Sequence, residues 1–342
     1  MRLLALLAAL LLLAAAPAKA PSPADPCPSG CIQFAVNVHD VGHVGESADT
    51  VLRLVSIFER HHVRGEFYLT GPMVELYLAE RPDVIARLKA SGMGVAYHVR
   101  APHPLVPGFE APLRDLDDAA LAAALRDYET YRLDRATGAL DRTRPGGFAL
   151  ARETFGAPPT TVVVPARDGR VKKAALELYR SLGAVGVVWY HEEGAPIERP
   201  IETRAGLVAR PSDFSVTRWG TGGNGKGQFW WNRVDDPAFD PLAYLQARLA
   251  AWPHPRGAFV TALVHENNFP RKGAESWTRS YYTDASKDVP LPPPWDLTPP
   301  EDNTPRPASE QAAIWARYEA LVAWSAANLR VVTMADVAAM PR

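Results

Sequence analysis

Ile32-Gln33-Phe34-Ala35-Val36-Asn37-Val38-His39-Asp40 is the stretch on which the fold turns. Its first seven residues are mostly apolar and rich in β-branched side chains, so they read as a buried strand. The strand stops at an imidazole and a carboxylate. Downstream, Ala48 to His62 carries Val51, Leu54, Val55 and Phe58 on one helical face. Glu66 to Leu69 is a second short strand, closed by Thr70-Gly71-Pro72. A helix is expected from Pro72 to about Ala90, stopped by Ser91-Gly92. Gly94 to Tyr97 is a third strand, and it ends at His98. Strand and helix alternate, which predicts parallel strands joined by helical crossovers.

The pattern continues along the chain. Leu116 to Thr137 reads as a polar-faced helix closed by Gly138, Thr160 to Val164 as a strand, Lys172 to Ser181 as a helix and Ala184 to Trp189 as a strand. Ala258 to Val264 is a late strand, Ser309 to Ala327 a late helix and Leu329 to Thr333 the last strand. Two long stretches, about 194–240 and 267–307, look irregular, and loops that long in a compact domain tend to serve function.

Composition narrows the class. Of 342 residues, 47% are hydrophobic and 22% charged, which is ordinary for a globular chain able to bury a large core. A formal net charge of −1 argues against nucleic acid as a partner, since that needs a basic surface. The first residues are the exception. Arg2 precedes an unbroken Leu/Ala run from Leu3 to Ala16, followed by Ala18-Lys19-Ala20. The run is short for a bilayer span and fits a cleaved signal peptide over residues 1–20. No later stretch is long and apolar enough for a transmembrane helix, so a secreted or periplasmic protein is expected. Residues 21–31 form a Pro/Ser-rich lead-in holding the two cysteines, Cys27 and Cys31. In an oxidising compartment they can pair; a zinc site is the rival reading, weakened by the lack of a second Cys pair.

Candidate chemistry gathers at strand ends. His98 and His103 flank Val99-Arg100-Ala101-Pro102, and neutral imidazoles suit zinc and related ions. With Asp40 from another strand end they could form an open metal site; the plain alternative is two loop histidines and a loop acid. His265, in Ala262-Leu263-Val264-His265-Glu266, could protonate a leaving group, or be a histidine bonded at a strand end. Trp219, Trp230, Trp231, Trp277, Tyr281 and Tyr282 lie in the two long stretches, where they could stack on sugar rings or simply pack.

The order of these segments resembles the polysaccharide deacetylases, a carbohydrate esterase family. The family's opening Thr-Phe-Asp-Asp is matched by Asn37-Val38-His39-Asp40. Its His-Ser/Thr-x-x-His-Pro is matched by His98 through His103-Pro104, with one extra residue between the histidines. Its Arg-Pro-Pro-Tyr-Gly is matched by Arg144-Pro145-Gly146-Gly147, and its late strand ending in His by Leu263-Val264-His265. The resemblance spans roughly residues 32–337. It implies an α/β fold of the distorted (β/α) barrel type over 32–342, and a divalent metal, most commonly zinc, on Asp40, His98 and His103. It further implies His265 as general acid, Arg144 as the group that orients the base, and acetylated polysaccharide or oligosaccharide as substrate. His39 stands where the family has its Asp base. The expected function is therefore metal-dependent removal of acetyl groups from a cell-envelope or extracellular glycan. The alternative is a barrel that has lost catalysis and binds glycan.

Overall fold

The computed structural model describes residues 25–189, 201–216, 239–272, 276–284, 286–298 and 303–341. The signal-like segment 1–20 and Trp219, Trp230 and Trp231 lie outside them.

The chain opens with β1 (Cys31–Val38), every residue of which is buried. Alternation sorts its side chains: Ile32, Phe34, Val36 and Val38 join the large core under the helices, while Ala35 belongs to a separate inner cluster. The helix α1 (Val44–Arg60) lays Val51, Leu54, Val55 and Phe58 on that core, and Phe58 meets Phe34 at 5.6 Å. After β2 (Glu66–Leu69) the expected single helix is two, α2 (Gly71–Glu80) and α3 (Pro82–Ser91). Pro82 is the cause. It lacks an N–H for the helical ladder and disfavours helical backbone at Arg81, so one helix ends and a second starts on the proline. Then come β3 (Gly94–His98), the single turn α4 (Ala111–Arg114) and α5 (Asp118–Thr130).

The helix expected to reach Thr137 stops at Thr130. Residues Tyr131 to Pro145 form an antiparallel hairpin of β4 (Tyr131–Leu133) and β5 (Leu140–Pro145) instead. Its turn is fixed by Asp134, whose carboxylate accepts from the N–H groups of Ala136 and Thr137, with Gly138 at φ +72°. The chain continues through α6 (Gly147–Phe155), β6 (Thr161–Val163), α7 (Gly169–Ser181) and β7 (Gly186–Val187), the last much shorter than expected.

The stretch read as irregular after residue 194 holds β8 (Glu202–Arg204), β9 (Leu207–Ala209) and β10 (Phe214–Ser215) in its described part. These strands are too short to show a period. Then follow α8 (Pro241–Ala250), β11 (Phe259–His265), a 3-10 turn (Glu266–Asn268), β12 (Arg271–Lys272) and α9 (Ser276–Tyr281). The chain closes with β13 (Thr304–Pro305), α10 (Ala308–Asn328), β14 (Arg330–Val331) and α11 (Met334–Ala338).

The main sheet runs β10-β11-β1-β2-β3-β6-β7-β9-β8, with β14 also on β1. Every pairing in it is parallel except β8 with β9. The sheet is curled, and one contact shows by how much. Arg210 follows β9, four strands from β2, which is about 19 Å across a flat sheet. Yet its guanidinium lies 6.0 Å from the Tyr68 ring of β2. The inner face holds one layer with Ala35, Tyr68, Ala96, Val163, Val188 and Leu263, drawn from six strands or their ends. Beneath it, Glu66 accepts from Gln33, Tyr68, Thr160 and Thr161. This is a distorted, open (β/α) barrel with a filled interior.

The lead-in is seated against the barrel. Cys27 and Cys31 are disulfide-bonded and fully buried. They pack with Phe259, Val332 and Met334, and Arg330 N–H donates to Gly30 O at 3.0 Å.

Candidate active site

The C-terminal ends of β1, β3 and β11 bring His39, Asp40, His98, His265 and Glu266 into one neighbourhood. All five are at most 2% exposed. The parallel register of β1 and β11 sets Asn37 opposite His265, so the residues that follow face each other across the strand gap. The His39 ring lies 4.7 Å from that of His265 and 6.5 Å from that of His98.

Each side chain has a defined orientation. Asn37 Nδ2 donates to His265 Nε2 at 3.1 Å, which leaves the proton of a neutral His265 on Nδ1. The His98 Nδ1–H donates to Val99 O at 3.1 Å. Its Nε2 is buried and has no hydrogen-bond partner. Burial, and then the charge of Arg100, hold the His98 pKa well below the usual imidazole value, so the ring is neutral with a bare lone pair. His43 Nδ1 lies 3.2 Å from Asp40 Oδ1. Glu266, to which the sequence reading assigned no role, ties the set together. Its Oε1 accepts the N–H groups of His39 and Asp40, both at 2.6 Å, and its Oε2 lies 3.8 Å from His39 Nε2. Burial and the neighbouring Asp40 push its carboxyl up to about 8, so it keeps its proton near neutral pH.

His103 lines one cavity with His98, but its ring is engaged by other groups. Its Nδ1 accepts Leu105 N–H at 3.1 Å, and its Nε2 faces Glu129 Oε1 at 3.1 Å, within ion-pair distance but out of line for a hydrogen bond. Glu129 is a buried carboxylate of α5 that also accepts from Tyr179 and from Phe148 N–H. The ring's lone pair is taken by Leu105, and its N–H side points at a carboxylate. Accordingly, among the described residues no three His, Cys, Asp or Glu side chains are grouped to hold a metal ion. His98 is oriented as a metal ligand would be, but the expected set Asp40, His98 and His103 does not fit a zinc or other divalent ion as placed.

Arg144 is also apart from His39. It is exposed on β5 and lines a cavity different from the one that His98 and His103 share. Trp277 lies 5.6 Å from His39 with the Arg100 guanidinium 4.7 Å from its ring. Trp277, Tyr281 and Tyr282 are no more than 2% exposed, so these aromatics pack the wall of the site and offer no open face to a sugar.

Comparison with known proteins adds the following. No protein-family model matches the sequence, and no curated protein does. Among solved structures, a protein assigned as a polysaccharide deacetylase from Mycobacterium smegmatis is 16% identical, covering 95% of this chain and 92% of its own at a TM-score of 0.47. A CE4 family pseudoenzyme from Bacillus anthracis is 12% identical, covering 91% and 66% at a TM-score of 0.41. A 4-alpha-glucanotransferase from Thermococcus litoralis is 12% identical, covering 91% and 40% at 0.42. At such identities and scores these likenesses say nothing about the chemistry of this chain, which must be argued from its own side chains.

Of the side chains to which the sequence assigns no role, Asn37, Arg100 and Glu266 each lie within two positions of a candidate residue, and that proximity is the available signal. Glu129 gave none, lying 26 positions beyond His103 within a polar helix.

Proposed function

We propose that this chain is a hydrolase that removes acetyl groups from a glycan, working at the mouths of β1, β3 and β11. The observation that supports this most is the convergence of three imidazoles from three strand ends, one of them with a buried, bare nitrogen. In this reading His98 Nε2 accepts a hydrogen bond from the attacking water and orients it. His39 takes the proton. His265 acts as an imidazolium, with the Asn37 amide turned so that its oxygen accepts from Nε2–H. It gives its Nδ1 proton to the departing oxygen or nitrogen, is left neutral, and is recharged by the proton that His39 took from the water. The positive charge of Arg100, felt at His98, offsets charge that develops on the carbonyl oxygen. An acetyl ester is the easier substrate for such a set, since its leaving group departs more readily than an amine. Export follows from the reading of residues 1–20, and the mature chain is then expected to begin at Pro21. N-terminal sequencing of exported protein checks this, and an intact Met1 would refute it.

The test is acetate release from O-acetylated and N-acetylated oligosaccharides by wild type, with and without chelator. Release that is lost in His265→Ala supports the reading. A second reading, a glycan-binding barrel without turnover, is favoured by two placements: His103 committed to Glu129, and Arg144 apart from His39. It wins if wild type binds these oligosaccharides and releases no acetate from any of them.

A further inference from the structure

The β4–β5 hairpin and α6 enclose a cavity of about 280 Å³ that the proposed reaction leaves unused. Three arginines line it, Arg142, Arg144 and Arg152. Arg142 is engaged, 2.5 Å from Asp127 and over the Tyr131 ring at 5.1 Å. Arg144 and Arg152 are exposed, and neither side chain has an ion pair or hydrogen bond among the described residues. Asp141 feels the charge of Arg144, but its carboxylate bonds to Thr143 instead. Of the two acids lining the cavity, Glu129 is committed to Phe148 N–H, Tyr179 and His103, which leaves Glu153. Two uncommitted guanidinium groups thus face a concave space that holds one uncommitted carboxylate.

We infer that this cavity binds a carboxylate-bearing sugar, a uronic acid ring of an acidic glycan, with Arg144 and Arg152 taking the carboxylate. The planar guanidinium fork matches a carboxylate in shape and charge. The volume falls just below the range of drug-sized ligand sites, so the cavity takes one ring and no more. Tyr131 lines both this cavity and the one shared by His98 and His103, and Glu129 touches His103 across the partition. A ring held here therefore sits beside the proposed site, and the inference rests on the reading that this protein acts on glycans.

The experiment measures calorimetric binding of an oligogalacturonate and of a neutral galactose oligomer of equal length to the full chain, at low and high salt. The acidic oligomer is expected to bind more tightly, with an affinity that falls as salt rises. Arg144→Gln and Arg152→Gln should each weaken it roughly threefold to tenfold, leave neutral-oligomer binding as it was, and be partly rescued by Lys. Both residues are exposed, and unchanged thermal melts certify folding; a variant that melts early is replaced by its Lys counterpart, for which the expected loss is smaller. Equal affinity for the two oligomers, or unaltered acidic binding in both Gln variants, overturns the inference. So does displacement by inorganic phosphate at the concentration at which galacturonate monomer displaces, because the cavity would then be a general anion site. Acetate release from neutral glycans without preference for the acidic oligomer sinks this inference alone; preference for it without acetate release sinks the proposed reaction alone.

Discussion

At the scale of single residues, the site depends on which ring nitrogen each histidine leaves open. Asn37 fixes His265, so Asn37→Ala should cost part of the activity, and His265→Ala should cost roughly two to four orders of magnitude, the usual worth of a positioned acid. Acetate-release rates decide this, and a His265→Ala enzyme as fast as wild type would remove that residue from the mechanism. His39→Ala carries the same expected loss, whereas His39→Asp supplies a carboxylate base in the same place and should keep or raise the rate. For His103 the expectation is different. Its lone pair is occupied by Leu105 N–H, so His103→Ala should leave the metal content of purified protein unchanged. Elemental analysis of wild type and variant tests it, and a metal present in wild type but lost in His103→Ala would restore the histidine to a ligand set. Much of this site was legible in the sequence, because His39, Asp40, His98 and His265 all end strands that hydrophobic pattern reveals. The partners were not. Whether His103 turns toward Asp40 or toward Glu129 depends on a loop path and on a helix 26 residues away, and no local pattern encodes that choice.

At the scale of elements, the long strands and helices followed from periodicity, and the departures came where a backbone constraint outweighed it. Pro82 divides one apolar stretch into two helices, and the Asp134 turn converts an expected helical tail into a hairpin. The hairpin and α6 meet so closely at Gly146 that a Cβ there would lie 2.4 Å from both Arg132 Cα and Tyr131 O. Both are backbone atoms and cannot swing aside. Gly146→Ala should therefore destabilise the protein by about 1–3 kcal/mol, as overpacking does. A thermal melt should show a drop of several degrees, and an unchanged melting temperature would mean that the hairpin yields. The same substitution should distort the arginine-lined cavity, since Arg144 lies two residues away.

At the scale of the whole molecule, the barrel interior carries a buried carboxyl that links stability to pH. Burial raises the pKa of Glu66 above its ordinary value, a push that outweighs the opposing hydrogen bonds from Thr160, Tyr68 and Thr161. The folded state thus holds this proton more tightly than the unfolded chain. The sign follows: the stabilisation is full below the ordinary carboxyl pKa and is lost as pH rises through the raised folded value. Glu66→Gln keeps an acceptor oxygen without the titration, so its stability should vary less with pH over that window. Denaturant unfolding of both proteins across pH checks this, and parallel curves would refute it.

The position of β1 also dictates the order in which the molecule can assemble. That strand is the first described in the chain, yet its neighbours are β2 on one side and β11 and β14 on the other, and the last of these pairs through Arg330 and Val331. A growing chain therefore presents this wholly buried strand long before all the residues that pair with it have been made. Closing loops of such length before any contact rewards them is slow. The barrel should reach its native state only after synthesis is complete, with no N-terminal half that folds alone. Under the proposed export, such late folding would keep the chain in the extended form that passage through a translocon requires.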